Sequence, residues 1–319
     1  MHPFSLPIAR YRLTLRALTP IQFPAYAGST WRGAFGHALR RTVCITREPD
    51  CRQCLLWRSC VYSQVFETPA GHGPLLEKIN AAPHPYIMQP LATSGRQYAP
   101  GEVFALELSL LGAAIGHLPY LIHAIQQVGE RGIGKGDGRY ALVAVAQELA
   151  PGAGNGRRFR RRGKFAGVSG GCAVDSAAAG RGAGALVDAV ALVAGGDANT
   201  QQPVYVSVVY QCVDAADYLV ARLSCGVELA ADFKALSQRA AAVTLEDADL
   251  HWHEWARYSN RQQNHVQMGG LVGSFSLELS GLEDFWPWLW LGQWVHAGKG
   301  AVMGMGGYAL DCYTGEKAI

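Results

Sequence analysis

Three groups of residues in this chain have types and spacings suited to chemistry. The first is Cys44-x6-Cys51-x2-Cys54-x5-Cys60. Four thiols within 17 residues, with a Cys-x2-Cys at the centre, have the spacing of a structural metal site. Zinc stands ahead of an iron–sulfur cluster as the occupant, and thiols that simply pack or oxidise are the alternative. Cys172, Cys212, Cys225 and Cys312 are scattered and read as small buried residues. The second group is Arg157, Arg158, Arg160, Arg161, Arg162 and Lys164, six cations in eight residues. Such a run suits phosphate contacts, and Phe159 and Phe165 add surfaces on which bases stack; a solvated linker is the competing reading. The third is His296 to Leu310, with five glycines and Lys299. Glycine permits φ > 0, and successive free N–H groups cradle an anion. The stretch lacks the Gly-x-x-x-x-Gly-Lys-Ser/Thr order of a P-loop, which excludes that mode of nucleotide binding. His251-Trp-His253 sets two imidazoles on one face of a strand, too few for a metal site. His253-Glu254 lacks the second histidine of His-Glu-x-x-His, and no His-x-Thr or His-x-Ser occurs.

The elements that must position these groups come in two copies. Shifted by 168 residues, Leu118–Leu142 lies on Trp286–Leu310 without a gap and with 8 identities in 25. Gly132/Gly300, Gly136/Gly304 and Gly138/Gly306 coincide, as do Tyr140-Ala-Leu and Tyr308-Ala-Leu, and Arg131 falls on Lys299. Each copy reads as helix, Gly-rich loop, strand. Upstream, the alternation of Tyr11–Leu18 predicts a strand. A helix follows from Trp31 to about Thr42, with Trp31, Phe35, Ala38 and Leu39 as its apolar stripe. Tyr86–Gln89 and Tyr98–Leu111 read as strands, Leu118–Val128 as an amphipathic helix, and Arg139–Ala146 as a strand. That order is the ferredoxin-like one, shared by the RNA-recognition fold. In the second half, strands are expected at 203–212, 218–224 and Leu271–Leu279. Helices are expected at Ala230–Val243 and Phe285–Val295, a strand from Tyr308, and a polar, aromatic stretch at Trp252–Gln263.

The expected class is therefore α+β, with two tandem ferredoxin-like domains, a four-cysteine insertion and a basic insertion. Residues 1–150 form the first domain with the cysteine loop 44–60. Residues 151–200 form a basic, Gly/Ala-rich insertion or linker, and 201–319 the second domain. The 319 residues suffice for two cores. With 49% apolar and 17% charged residues, no apolar run that spans a bilayer and no secretory pattern at Met1–Pro7, a cytoplasmic protein is expected. The net charge of +3 owes its sign to the basic run, so one segment rather than the whole surface attracts polyanions.

Along most of its length the chain resembles the CRISPR-associated endoribonucleases that process precursor crRNA, within the repeat-associated mysterious protein superfamily. The resemblance rests on Trp31-Arg-Gly-Ala-Phe-Gly-His37, the Cys44/51/54/60 cluster with Tyr62 and Phe66, and Tyr98-Ala-Pro-Gly-Glu102. It continues through Arg257-Tyr-Ser-Asn-Arg261, Gly269-Gly-Leu-Val-Gly273, and Val295-His-Ala-Gly-Lys299 leading to Gly304-Met-Gly-Gly-Tyr308. Residues 152–200 do not match. The resemblance implies cleavage of CRISPR repeat RNA without a catalytic metal, leaving 2′,3′-cyclic phosphate and 5′-OH ends, with the crRNA kept for effector-complex subunits. A non-catalytic crRNA-binding subunit of such a complex is the alternative. It places the catalytic histidine on the first helix, at His37, with Arg32, Arg40 and Tyr258 as further catalytic candidates. RNA contacts are then expected from Arg41, the basic run, Arg257, Arg261, His296, Gly298, Lys299, Gly300, Gly304 and Gly306. No cofactor is expected for catalysis, and no membrane partner.

Overall fold

The computed structural model describes residues 5–69, 83–91, 95–148, 158–159, 173–175, 184–189, 232–259, 264–278, 282, 285–298 and 300–313. The chain divides into two compact units, one centred on Leu6–Ala173, the other on Glu228–Ile319 with a strand from the preceding segment.

In the first unit β1 (Ser5–Ala17) is followed by the two-residue β2 (Ile21–Gln22) and by α1 (Gly28–Val43). Next come β3 (Tyr86–Leu91), β4 (Gln97–Tyr98), β5 (Val103–Leu111), α2 (Leu118–Arg131) and β6 (Tyr140–Glu148). The sheet order is β3-β5-β1-β6, all antiparallel, with β7 (Arg158–Phe159) beside β6 and β8 (Ala173–Asp175) beside β1. With β1 central and the last strand at its side, this is the ferredoxin-like arrangement. Alternation on β1 sends Tyr11, Leu13, Leu15 and Ala17 into the core. The expected stripe of α1, Trp31, Phe35, Ala38 and Leu39, packs there with no more than 1% exposure. Each large apolar side chain of this kind contributes about 1.5–3 kcal/mol of burial. Pro119 opens α2, where its missing N–H costs nothing.

The second unit repeats the scheme with β9 (Gly184–Ala189), α3 (Phe233–Ala240), β10 (Glu246–Ser259), β11 (Asn264–Glu278), α4 (Trp286–Val295) and β12 (Ala309–Tyr313). Its order is β10-β11-β9-β12, again antiparallel and again ferredoxin-like. The α+β, double ferredoxin-like expectation thus holds in sheet order. Two details differ. Gly184–Ala189, read from sequence as part of the linker, is the first strand of this sheet, paired on both sides. Trp252–Gln263, read from sequence only as a polar, aromatic stretch, lies mostly in β10. Its run of aromatic and charged residues shows no alternation because residues 251–254 are exposed on both faces of the strand. The strands expected at 203–212 and 218–224 lie outside the described residues.

β9 pairs only with Gly273–Glu278 of β11, so the Asn264–Val272 half and its β10 partner run on as a two-stranded ribbon. There His251, His253 and Glu254 are exposed, and Trp252 lies across Gly269, whose missing Cβ makes room for the indole. Among the described residues no helix is long and apolar enough to cross a membrane.

Candidate nucleic-acid interface

The outer face of α1 carries Gly33, His37 and Arg41 at successive turns, all exposed. Residues four apart on a helix are neighbours, so His37 sits between a guanidinium and a notch. A Cβ built on Gly33 would meet nothing within 4 Å. Arg41 is in the last turn, where the helix dipole favours a cation. Burial, then the guanidinium of Arg131 at the end of α2, hold its pKa below the usual arginine value. Both guanidiniums are exposed, and the charge of one is felt at the other, which suits the pair to an anion. Arg131 was marked in the sequence only as the counterpart of Lys299; its approach to Arg41 needs the packing of α1 on α2.

Arg32 and Arg40 point elsewhere. The Arg32 guanidinium lies 4.5 Å from the Phe66 ring centre, a cation–π contact, and its Nη2 is 3.4 Å from His84 Nε2. His84 Nδ1 is 2.9 Å from Thr68 Oγ1. Burial, and then the charge of Arg32, lower the His84 pKa from 6.5 to about 4. The ring is therefore neutral near pH 7. Since arginine only donates, Nε2 accepts from Arg32 and Nδ1–H donates to Thr68. Phe66, His84 and Tyr86 stack within 29° of parallel, with Tyr62 stacked on Phe66 as well. Phe66 can lie so close to α1 because Gly36 has no side chain: a Cβ there would collide with the ring. His84 was missed from sequence, where Pro83-His84-Pro85 shows no periodicity.

Arg40 donates from Nη2 to the carbonyls of Glu48 and, at 3.1 Å, of Pro49, and its guanidinium lies 5.7 Å from the Tyr62 ring. It is spent on the cysteine loop rather than on the open face of α1. Cys44, Cys51, Cys54 and Cys60 are half-buried free thiols that line one small pocket with Thr46, Glu48 and Tyr62. Among the described residues no three His, Cys, Asp or Glu side chains share ligating geometry.

In the second unit the Gly-rich loop leaves α4 at His296, with φ 60° and ψ 160°. That region is close to glycine-only. His296, expected from sequence to face RNA, is 3% exposed, and its Nδ1 lies 3.0 Å from the Met305 carbonyl oxygen. The ring braces the loop from inside. Ala297 N–H donates to Gly306 O, Met303 and Met305 N–H to Gly300 O, and Gly304 N–H to Ala301 O. Gly298, Gly300, Gly304 and Gly306 all have left-handed φ. Arg257 is half-buried on β10; Tyr258 pairs with His265 across the ribbon, but its side chain lies outside the described set. Arg157, Arg160, Arg161, Arg162, Lys164, Arg261 and Lys299 also lie outside the described residues, and Arg158 is described only as backbone in β7.

Residues 6–162 match a family model described as an N-terminal domain, and residues 215–308 match the model of the CRISPR-associated endoribonuclease Cas6. A curated relative from Archaeoglobus fulgidus, described as an uncharacterized protein, is 25% identical over 150 residues, 46% of this chain. The match spans about half (48%) of that relative's length. Among solved structures, a Cas6 product complex covers 95% of this chain and 99% of its own, at 15% identity and a TM-score of 0.55. Thermus thermophilus Cas6 covers 97% and 99%, at 13% identity and a TM-score of 0.52. A partial Cas6-RT-Cas1–Cas2 complex covers all of this chain and 48% of its own, at 12% identity and a TM-score of 0.58. The solved structures agree with the double ferredoxin-like sheet order described above, and residues 215–308 are similar in sequence to the CRISPR-associated endoribonuclease Cas6.

Proposed function

We propose that the chain cuts CRISPR repeat RNA in precursor crRNA, by attack of the ribose 2′-OH on the adjacent phosphate, with no catalytic metal. The observation that carries this reading is the match of residues 215–308 to the Cas6 endoribonuclease model. The exposed Gly33–His37–Arg41 face with Arg131 at its end supplies groups for the step. The reaction needs the 2′-OH proton removed, the leaving 5′-oxygen protonated and the phosphorane charge offset. An exposed imidazole suits either proton transfer, because its ordinary pKa lies near neutrality. Arg41 and Arg131 suit the phosphate. Products of this route carry 2′,3′-cyclic phosphate and 5′-OH ends.

Arg32 and Arg40 act in this reading as supports of the α1 face, and His296 as a brace of the loop rather than a contact to RNA. The Gly-rich loop around Gly298, Gly300, Gly304 and Gly306, with Lys299, holds the RNA backbone. The basic run 157–164 adds electrostatic attraction. The cut crRNA stays bound and is handed to CRISPR protein partners, in keeping with solved relatives described as a product complex and as part of a Cas6-RT-Cas1–Cas2 assembly.

The test is cleavage of the locus's own repeat RNA in EDTA, beside a substrate with one 2′-deoxy residue at the cut site. Cleavage of the first and protection of the second are expected. His37→Ala is expected to lower the single-turnover rate at least about tenfold, in line with the usual effect of general acid–base catalysis, with little change in binding. Equal rates for wild type and variant would remove His37 from the mechanism. Tight binding without cleavage of either RNA would establish the non-catalytic crRNA-binding alternative.

A further inference from the structure

The stretch from Cys44 to Cys60 leaves the body of the first unit as a loop between α1 and the turn Ser63–Glu67 that carries Phe66. No side chain of this loop is buried. Ile45 and Leu55 stand 83% and 100% exposed. A segment of this length without an apolar core has no hydrophobic burial of its own to offset the entropy of ordering it. Small elements of that kind are held by cross-links or by metal. What the loop turns inward instead is its cysteines: all four are half-buried, none is in a disulfide, and all line one pocket.

We propose that this pocket is a tetrathiolate zinc site, ligated by Cys44, Cys51, Cys54 and Cys60, whose role is to fold the loop. The donor set is right for a tetrahedral zinc centre, which favours sulfur and needs four ligands. Cys51 and Cys54 are joined by a tight turn, with Cys54 N–H donating to Cys51 O at 3.1 Å. Cys54 Sγ receives the Leu56 N–H at 3.4 Å and lies 3.2 Å from Thr46 Oγ1, outer contacts that favour a thiolate. The Arg40 side chain adjoins Cys44 and Cys51. Four thiolates around one divalent cation leave a net negative charge, and Arg40, Arg47, Arg52 and Arg58 outnumber Glu48 and Asp50 along this stretch. The sulfurs surround the pocket without sharing ligating geometry, and χ1 is the single torsion by which each cysteine turns its sulfur inward.

The site has a mechanical consequence. The loop is tied at one end to α1 through Arg40 and the Glu48 and Pro49 carbonyls, and at the other to the Phe66 turn, where Gln64 Nε2 donates to Arg58 O at 3.0 Å. Phe66 in turn packs on Gly36 and Arg32. Zinc therefore sets the base on which the His37 face rests and takes no part in proton transfer.

The experiment uses the full chain, purified under reducing conditions without chelator. About one zinc per chain is expected, released when a mercurial blocks the thiols. Cobalt(II) added to chelator-stripped wild type is expected to give the visible bands of tetrahedral cobalt–thiolate. Cys51→Ser with Cys54→Ser is expected to lower zinc content at least about tenfold, while Cys312→Ser leaves it unchanged. Should the double variant fail to fold, the cobalt spectrum of the wild type still decides. Zinc far below one per chain with freely titrating thiols, disulfides within residues 44–60, or an iron chromophore in the protein as isolated would each overturn the proposal.

Discussion

The two helix–loop–strand copies align without a gap in sequence, yet they do not correspond residue for residue in structure. In the first, α2 runs 14 residues and ends at Gly132, with φ 106° and ψ 154°. In the second, α4 runs 10 residues and ends at His296, in the same quadrant with φ 60° and ψ 160°. Both following strands are anchored alike. Tyr140 Oη donates to Ile125 O and Tyr308 Oη to Leu289 O, and each acceptor lies seven residues before its helix cap. The structural equivalent of Gly132 is therefore His296, not Gly300. The second copy has unwound the end of its helix and given four residues to its loop. The first loop spends its backbone on the chain before α1: Lys135 N–H donates to Gln22 O, and Gly134 and Gly138 press on the Gln22 and Pro20 carbonyls. The second loop closes on itself, around a non-glycine residue held in a glycine conformation by its buried ring. Strain of that kind persists where the surroundings over-determine it, and it gathers at functional sites. One loop thus braces the chain before α1, and the other holds its strain within itself.

The largest expected effect that sharpens this contrast is at Gly306. A Cβ there would run into the Ala297 carbonyl, at φ +70°. Gly306→Ala is expected to destabilise the second unit by about 3 kcal/mol or more and to weaken repeat-RNA binding. Gly136→Ala in the first loop, at φ +85° but facing open space, is expected to cost only about 1 kcal/mol. Equal losses by denaturant titration would erase the distinction between the loops.

A smaller effect is expected at His296. Alanine loses the brace and keeps the strain, whereas glycine loses the brace and relieves it. His296→Ala is expected to cost about 2–3 kcal/mol and His296→Gly about 1 kcal/mol less. A glycine variant no more stable than the alanine one would show that the dihedrals at 296 carry no strain.

Comparable in size, but dependent on pH, is the contribution of His84 in the first unit. Its pKa is depressed in the folded state to about 4 from 6.5. Folding thus favours the neutral ring, and the stabilisation is whole above pH 6.5 and lost as pH falls from 6.5 towards 4. The loss is at most about 3 kcal/mol. His84→Phe keeps a ring in the stack with Phe66 and Tyr86 and is expected to flatten the stability–pH curve over that window. An unchanged curve would place the acid-sensitive group elsewhere.

The smallest effect is at Gly33. Gly33→Ala is expected to stabilise α1 by about 0.5–1 kcal/mol, because an exposed helical glycine is unfavourable. It is also expected to slow repeat cleavage by filling the notch beside His37. A faster or unchanged cleavage rate would mean that the notch admits nothing.

What the sequence by itself determined is the local part. The period of α1, the alternation of β1 and the duplicated tyrosine all read correctly, because each depends on neighbours within a few turns; the gapless pairing of Gly132 with Gly300 did not survive. The double ferredoxin-like order followed from them, and so did the exposure of His37 opposite the Trp31–Phe35–Leu39 stripe. Tertiary structure decided the rest. β9 is six residues long, too short to stand out among Gly and Ala, and the segments it pairs with begin at Gly273 and Ala309. His84 acquires its lowered pKa from burial and from Arg32, 52 residues away, and its tautomer from Thr68, 16 residues away. Arg41 feels the charge of Arg131 only because α1 packs on α2. The His296 ring turns inward because its backbone cap points it at Met305. Sequence pattern reports which face a residue occupies; which groups then share a low-dielectric neighbourhood, and so hold or lose a proton, is settled by chain segments far apart in sequence coming into contact.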